Sequence, residues 1–319
     1  MSIARVFADR RLLLGILILV TGVVMTWLSP YFLEVNNLLS MTQYGAVIGL
    51  LALGQALVIL GGGGGIDLSV GATLSLSGVF MGFLTEGHGM NPWLAAPLAI
   101  ALGGVLGLIN GLLIAKVGIL PLIATLATMF LYASLANVVT GGKQFGNFDV
   151  SNFSFVGQGT IVGIPVQVLL ITLPAFAFAI WAMPRTRFGQ QLYEIGSSDR
   201  AASLTGVSVP GQRIQLYVIS GALAALGAVV TNSWLLTARP SAGTGLELQA
   251  ITIAVLGGLD IFGGRGHLSG VLLGLLLVVV VNNGLQLAGV GSSIQVGILG
   301  AILIASVFLN ASFARNRNT

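Results

Sequence analysis

Apolar residues form long continuous stretches along this chain, and glycine, proline and charged residues separate them. Examples are LLLGILILV near the N-terminus and VLLGLLLVVVV near the C-terminus, in which every face of a helix would be apolar. Helices that are apolar all round fit a bilayer, and about 20 such residues cross its hydrocarbon core. A transmembrane barrel would instead show short segments of alternating polarity. The pattern therefore predicts an all-α polytopic membrane protein.

The interruptions divide the chain into about ten predicted transmembrane helices, some of them short. They cover residues 12–29, 42–60, 68–85, 93–115, 120–139, 162–183, 213–237, 247–262, 268–288 and 294–311. Only two connecting segments exceed a short turn, an outer one near 140–161 and an inner one near 184–212. Because neither is long enough for a soluble catalytic domain, residues 1–319 are predicted to form a single transmembrane domain.

The positive charges are distributed unevenly when the predicted helices alternate across the membrane. If the N-terminus is cytoplasmic, only Lys143 and Arg239 lie outside, and eleven basic residues lie inside: Arg5, Arg10, Arg11, Lys116, Arg185, Arg187, Arg200, Arg213, Arg265, Arg315 and Arg317. Cytoplasmic loops of membrane proteins carry such an excess of Lys and Arg. We therefore predict that both termini are cytoplasmic. The same bias explains the basic net charge without any nucleic-acid partner.

The composition excludes several kinds of chemistry. Charged residues make up 7% of the chain, against about 25% in a soluble domain. The chain has no cysteine, and its two histidines, His88 and His267, lie far apart, so thiolate, disulfide and HExxH metal chemistry are excluded. No GxxxxGK[ST] motif is present to bind ATP. If ATP drives transport, a separate subunit must hydrolyse it, and no cofactor is expected on this chain.

Two glycine-rich segments interrupt the apolar pattern. One aspartate lies just after the first segment, and one lies within the second. Residues 61–65 are all glycine and precede Asp67, and residues 257–266 contain Asp260. Glycine costs a helix about 1 kcal/mol relative to alanine, so both segments predict broken helices. Paired interrupted helices are typical of transport sites. Asp67 is interpreted either as a helix cap or as a group that acts in transport.

Uncharged amides supply much of the polarity within the predicted helices. They suit a neutral, hydroxylated solute better than an ion, because nothing compensates a charge in transit. Amides also join neighbouring helices by hydrogen bonds, so for each residue a packing role stays open. The candidates for gating or translocation are Asp67, Asn110, Asn137, Asn232, Asn282 and Asn283.

The inner segment 184–212 contains the signals of a short helix. Residues 197–199 supply N-cap chemistry, residues 200–204 can form the helix and Gly206 ends it. Such a helix, projecting into the cytoplasm, either binds a partner or is a solvated loop with one helical turn. The residues alone leave both interpretations open.

Four segments, in this order, resemble the permease subunits of bacterial ATP-binding-cassette (ABC) importers for ribose and related monosaccharides. They are GGIDLSVG (64–71), RTRFGQQLYEIGSSDRAASLTGV (185–207), ELQAITIAVLGGLDIFGGRG (247–266) and NNGLQLAGV (282–290). The resemblance implies a chain in the bacterial inner membrane with no catalytic residue. It also implies a second permease subunit, two cytoplasmic ATPase subunits that carry the ATP and magnesium, and a periplasmic sugar-binding protein.

The resemblance also implies that 184–212 is the cytoplasmic coupling loop that contacts the ATPase. Its residues of interest are Arg187, Gly189, Glu194, Gly196, Arg200, Ala201, Ala202 and Gly206. We expect Ala201 and Ala202 to face the ATPase, because small side chains permit close approach. The chain departs from the family pattern in having five glycines before Ile66, Glu194 in place of alanine and Gln249 in place of aspartate.

Other functions fit parts of the same pattern. An importer of the same class for a furanosyl autoinducer, a nucleoside or a branched-chain amino acid is the nearest alternative. A secondary transporter would place acidic or histidine residues inside its helices to couple an ion, whereas here the nine acidic residues fall near helix ends or in loops. An intramembrane enzyme would require convergent catalytic groups, and the sequence shows none.

Overall fold

The computed structural model describes residues 10–146, 148 and 150–315, without the side chains of 10, 292–293 and 306–315. The predicted cytoplasmic ends at 1–9 and 316–319 lie outside the described residues. The helices are α1 (Arg10–Leu28), α2 (Val35–Leu60), α3 (Val70–Gly82, extended by a π-helix over Phe83–Gly87), α4 (Pro92–Ala115), α5 (Pro121–Thr140), α6 (Phe155–Gln158), α7 (Leu173–Arg185, preceded by a π-helix over Gln167–Thr172), α8 (Arg187–Ser197), α9 (Asp199–Leu204), α10 (Val209–Leu235), α11 (Leu246–Leu256), α12 (Leu268–Leu287) and α13 (Ser292–Arg315). A small antiparallel hairpin, β1 (Thr160–Ile161) and β2 (Ile164–Pro165), pairs Thr160 with Pro165.

Seven helices in the described part of the chain are long and apolar enough to cross a membrane. They are α1, α2, α4, α5, α7 with its π-helical start, α10 and α12. The predicted helices 68–85, 247–262 and 294–311 correspond to α3, α11 and α13. The predicted end at 262 is wrong, because α11 ends at Leu256, where Gly257 begins the second glycine segment. With 11 residues α11 is only about 16 Å long, which is too short to cross a bilayer by itself.

The helix α2 forms the centre of the bundle. It is the most deeply buried of the seven long helices and packs against α10, α11, α12 and the π-helical start of α7. Its residues Ile48, Leu50, Leu51 and Ile59 are fully buried in the main hydrophobic core. These four elements therefore surround α2, and its inner end lies on the cytoplasmic side predicted from the charges.

Glycines permit close backbone contact between α4 and α10. A Cβ atom on Gly107 would lie 2.0 Å from the carbonyl oxygen of Tyr217, and Gly103 and Gly111 also lie against the α10 backbone. Only a residue without a side chain allows backbones to approach this closely. By contrast, large apolar side chains such as Leu19, Val23 and Phe130 are exposed on α1 and α5. This apolar surface fits contact with lipid.

Candidate coupling and gating site

Both glycine segments and the inner loop meet at the inner end of α2. The amide of Gly264 donates to the carbonyl oxygen of Leu60 at 3.0 Å. Gly196, near the end of α8, lies so close that a Cβ atom on it would be 2.0 Å from the Leu60 oxygen and 2.3 Å from the Gly264 nitrogen. The hydroxyl of Tyr193 donates to the carbonyl oxygen of Gly266 at 2.9 Å. We call the contact between residues 61–65, 196 and 263–264 the glycine joint.

The backbone of the first glycine segment requires glycine. Gly62, Gly63 and Gly64 have φ angles of +68°, +63° and +71°, in the left-handed region. Three consecutive residues with side chains would be strained there, at about 1–2 kcal/mol each. The turn brings Gly62 against the backbones of Gly196 and Gly263. The glycine run is therefore a tight turn packed on other backbone segments.

Asp67 follows this turn and binds two different elements. It is 1% exposed. Its Oδ1 accepts hydrogen bonds from the Ser69 amide at 3.0 Å and the Ser69 hydroxyl at 2.6 Å, at the start of α3. Its Oδ2 accepts from the hydroxyl of Ser220 on α10 at 3.0 Å. Asp67 therefore binds Ser69, the N-cap residue of α3, and also holds the start of this helix against α10.

A chain of buried hydrogen bonds extends from Asp67 across the bundle. Asn110 on α4 donates to the Ser69 hydroxyl at 2.8 Å and accepts from the hydroxyl of Thr128 on α5 at 2.7 Å. On the other side, the Asp67 amide donates to Oε1 of Gln55 on α2 at 3.3 Å. The network links the five helices α2, α3, α4, α5 and α10. Buried polar groups in a packed interior need such hydrogen-bond partners. Nε2 of Gln55 has no hydrogen-bond partner in the described structure.

The other amides predicted for gating lie apart from this network. Asn232 on α10 is buried and donates to the Gly78 carbonyl of α3 at 2.9 Å. Asn283 and Asn37 exchange two amide hydrogen bonds, at 2.9 and 2.8 Å, between α12 and α2. Asn137 is exposed and donates to Ala133 in its own helix, and Oδ1 of Asn282 is buried without a partner among the described residues. The structure thus brings together Asp67 and Asn110 alone, and a gating role for any of the six stays a prediction.

The short helix predicted in the inner loop is confirmed as α9. The Ser198 hydroxyl caps it by accepting from the Ala201 amide at 3.2 Å, and Gly206 follows the helix with φ +84°. An ion pair of 2.6 Å joins Asp199 at the start of α9 to Arg213 of α10. The short helix is therefore positioned against α10.

The face of α9 available to a partner differs from the predicted one. Ala202 is 1% exposed, so its side chain points into the protein and our prediction that it faces the ATPase is wrong. The helix has to bury one side against α8 and α10, and Ala202 lies on that side. Ala201 is exposed, and Leu204, which the sequence analysis did not select, is 83% exposed. The available face therefore contains Ala201 and Leu204.

The helix α8 was not predicted, and it carries the loop residues Arg187, Gly189, Glu194 and Gly196. Thr186 caps this helix by accepting from the Gly189 amide at 3.2 Å. Leu192 and Ile195 of α8 are buried, whereas its charged residues Arg187 and Glu194 are exposed. Arg200, on the adjoining α9, is also exposed. A Thr cap before apolar residues at helical spacing was the signal that could have revealed it.

Comparison with known proteins identifies the family. A family of transport proteins described as "Branched-chain amino acid transport system / permease component" matches residues 37–307. The chain belongs to this permease family. It is 40% identical over 298 residues to the ribose import permease protein RbsC of Bacillus subtilis (strain 168), a match that covers 93% of this chain and 91% of that protein.

Two further relatives of the permease have different names. The autoinducer 2 import system permease protein LsrD of Enterobacter sp. (strain 638) is 36% identical, with 91% of this chain and 90% of that protein covered. The D-allose transport system permease protein AlsC of Escherichia coli (strain K12) is 35% identical, with 89% and 86% covered. No solved structure matches the chain. The predicted resemblance to importer permeases is confirmed.

The permease match includes the whole candidate site. Residues 37–307 contain both glycine segments, Asp67, α8 and α9. Family membership and the seven long apolar helices together make this chain a multi-pass membrane protein. Among its described residues, no group of three or more His, Asp or Glu side chains lies close enough to hold a metal ion. Backbone contacts and side-chain hydrogen bonds make up the site and join several helices.

Proposed function

We propose that this chain is the membrane-spanning permease subunit of an ABC importer that carries a monosaccharide across the bacterial inner membrane. The observation that carries the proposal is the glycine joint, where Gly196 of the inner loop contacts Leu60 at the end of the central helix. A loop fixed in this way can pass the movement of a cytoplasmic partner to the helices around a pathway. The relatives named for ribose and D-allose support a sugar as the solute.

The proposed topology has ten crossings and both termini in the cytoplasm. The crossings are the seven long helices, α3, α13 and a tenth in which the non-helical residues 236–245 and α11 together span the membrane. With its π-helical extension α3 runs from Val70 to Gly87, about 27 Å at 1.5 Å per residue. The eleven basic residues on the predicted inner side support this orientation. Under it, α8, α9 and the glycine joint are cytoplasmic, and β1 and β2 are periplasmic.

The coupling step follows from the contacts. An ATPase subunit that binds Ala201 and Leu204 on α9 displaces α8 with it, because the two helices pack together. Gly196 transmits the displacement to Leu60 and Gly264 through backbone contact, which has no flexible side chain to absorb it. Asp67, five residues beyond Gly62, connects the same turn to α3 and α10. Movement of the loop thus reaches five helices of the bundle.

The complete importer contains more than this chain. ATP and magnesium belong to the ATPase subunits, and a periplasmic binding protein delivers the sugar. A second permease subunit, either another copy or a paralogue, completes the pathway. The hydroxyl and amide side chains of the bundle suit a neutral sugar, whereas the description of the family names branched-chain amino acids, which is the second candidate class.

Reconstitution into liposomes tests this function. The permease is combined with the ATPase and the binding protein encoded alongside it, and uptake of radiolabelled ribose, D-allose and leucine is measured. We expect uptake of one sugar. This uptake should require ATP on the side of the membrane that carries the ATPase, and it should stop when a hydrolysis-deficient ATPase is used. Uptake driven by a proton or sodium gradient without ATP would contradict the importer class, and ATP-driven leucine uptake alone would contradict the sugar.

A further inference from the structure

Phe262 is an exposed aromatic residue at the tip of the second glycine segment. Its exposed fraction is 83%, equal to that of Leu204 on α9. Its neighbours Asp260, Arg265 and His267 are polar and at least partly exposed. Single exposed apolar residues are common on protein surfaces, so the position of Phe262 in the fold has to decide whether it marks a contact.

The loop holds Phe262 in a defined position. The Phe262 amide donates to Oδ1 of Asp260 at 3.0 Å, and the Gly263 amide donates to the Asp260 carbonyl at 2.9 Å. The Asp260 amide donates to the carbonyl of Arg265 at 3.1 Å, which closes the turn. Asp260 therefore organises a tight turn with Phe262 at its tip. Because the backbone of the turn is already ordered, a partner that binds Phe262 does not have to order it.

The position of the turn separates Phe262 from the lipid-facing surface. The next residue, Gly263, lies against Gly62, and Gly264 donates to Leu60 at the end of α2. Since α2 is the central helix, its inner end lies away from the lipid around the bundle. Gly264 also lies against Ser197, which directly precedes the N-cap of α9. Phe262 is therefore close in the chain to residues that contact both α2 and the coupling loop.

We propose that Phe262 is a second contact for the ATPase subunit, beside the α9 face that carries Leu204. This inference rests on the proposed function, since it needs an ATPase on the cytoplasmic side. The expected partner surface is an apolar depression with a polar rim, which receives the ring and leaves Asp260 and Arg265 at the edge. One contact on each of the two segments that meet at the glycine joint would let the ATPase move α8 and the second glycine segment relative to each other.

The test uses Phe262→Ser in the full chain, with Phe178→Ser as its matched control. Phe178 on α7 is also a largely exposed phenylalanine, at 67%, but it lies within a membrane-spanning helix. Leu204→Ser serves as the positive control for the coupling loop. Each permease is purified from membranes with the ATPase encoded alongside it, and the ATPase retained per permease is measured. We expect Phe262→Ser and Leu204→Ser each to lower retention about tenfold or more, and Phe178→Ser to leave it unchanged.

A cross-linking measurement identifies what Phe262 touches. Because the chain has no cysteine, Phe262→Cys carries the only thiol and can be labelled with a maleimide photo-cross-linker. We expect cross-links to the ATPase, and we expect Phe178→Cys to give none. Cross-links of Phe262→Cys to lipid alone would overturn the inference. Full retention of the ATPase by Phe262→Ser, together with loss of the ATPase by Leu204→Ser, would also overturn it. The proposed function would stand in both cases. Failure of the unaltered chain to retain the ATPase would instead overturn the proposed function.

Discussion

Ser220 donates its hydroxyl hydrogen to Oδ2 of Asp67 at 3.0 Å and thereby joins two residues that lie 153 positions apart in the chain. The other oxygen of the same carboxylate accepts two hydrogen bonds from Ser69. The side chain of a simple helix cap accepts hydrogen bonds only from the backbone amides of the helix that follows it. The bond to Ser220 makes Asp67 a connection between α3 and α10 directly beyond the glycine joint.

Asp67→Asn should reduce transport more than membrane insertion. The amide keeps the shape of the side chain but replaces one accepting oxygen with an NH2 group, which cannot accept a hydrogen bond from Ser69 or Ser220. A hydrogen bond of this kind contributes about 0.5–1.5 kcal/mol. We expect normal amounts of protein in the membrane and about a tenfold lower rate of ATP-dependent uptake. Ser220→Ala, which removes only the bond to α10, should give a smaller decrease. If Asp67→Asn assembles with the ATPase and imports at the normal rate, Asp67 is only a cap.

Gly196→Ala should uncouple ATP hydrolysis from transport. The added methyl group would lie 2.0 Å from the Leu60 carbonyl oxygen, and the backbone has to move to relieve the overlap. Overpacking of this kind costs about 1–3 kcal/mol. We expect a lower melting temperature in detergent and more ATP hydrolysed per sugar imported.

Gly104→Ala on α4 is the control for this substitution. Its methyl group would meet only Val218, at 3.8 Å, which is ordinary contact. We expect a slightly higher melting temperature, because alanine is about 1 kcal/mol more favourable than glycine in a helix, and unchanged coupling. An equal effect of both substitutions would show that added bulk anywhere in the bundle, rather than the glycine joint, is responsible.

Substitutions on α9 should separate the exposed face from the buried one. Ala201→Trp places a bulky group on the exposed face and should prevent retention of the ATPase without affecting the amount of folded permease. Ala202→Trp should instead lower the amount of folded permease, because Ala202 is buried. Val162→Ser, at the exposed tip of the outer hairpin, is the control and should alter neither quantity. Normal ATPase retention and coupled import by Ala201→Trp would exclude this face as the contact.

The orientation of the chain can be tested with single cysteines. Ser151 is exposed in the outer segment and Ser203 is exposed on α9, and the chain has no cysteine of its own. In intact cells we expect an impermeant maleimide to label Ser151→Cys and not Ser203→Cys, and to label both after the membrane is opened. Labelling of Ser203→Cys from outside would reject the proposed topology.

The hydrophobic pattern predicted most of the architecture because each membrane-spanning helix forms its own backbone hydrogen bonds, so its existence depends mainly on local composition. The central position of α2 could not be read in this way, because α1 and α12 are just as apolar along the chain. The short α11 was predicted too long for a related reason. Its apolar pattern continues beyond Gly257 to Ile261 and Phe262, whereas the helix ends at Leu256 with Gly257 as its C-cap.

The same division holds for the site. The sequence by itself determined that glycine segments precede Asp67 and surround Asp260, and that a capped helix occupies the inner loop, since caps and glycine turns act within a few residues. Only the tertiary structure decided that the two glycine segments and Gly196 meet at Leu60, that Asp67 reaches Ser220, and that Ala202 is buried while Leu204 is exposed. These contacts join residues far apart in the chain, and they depend on how the helices pack around α2, which no local pattern of residues specifies.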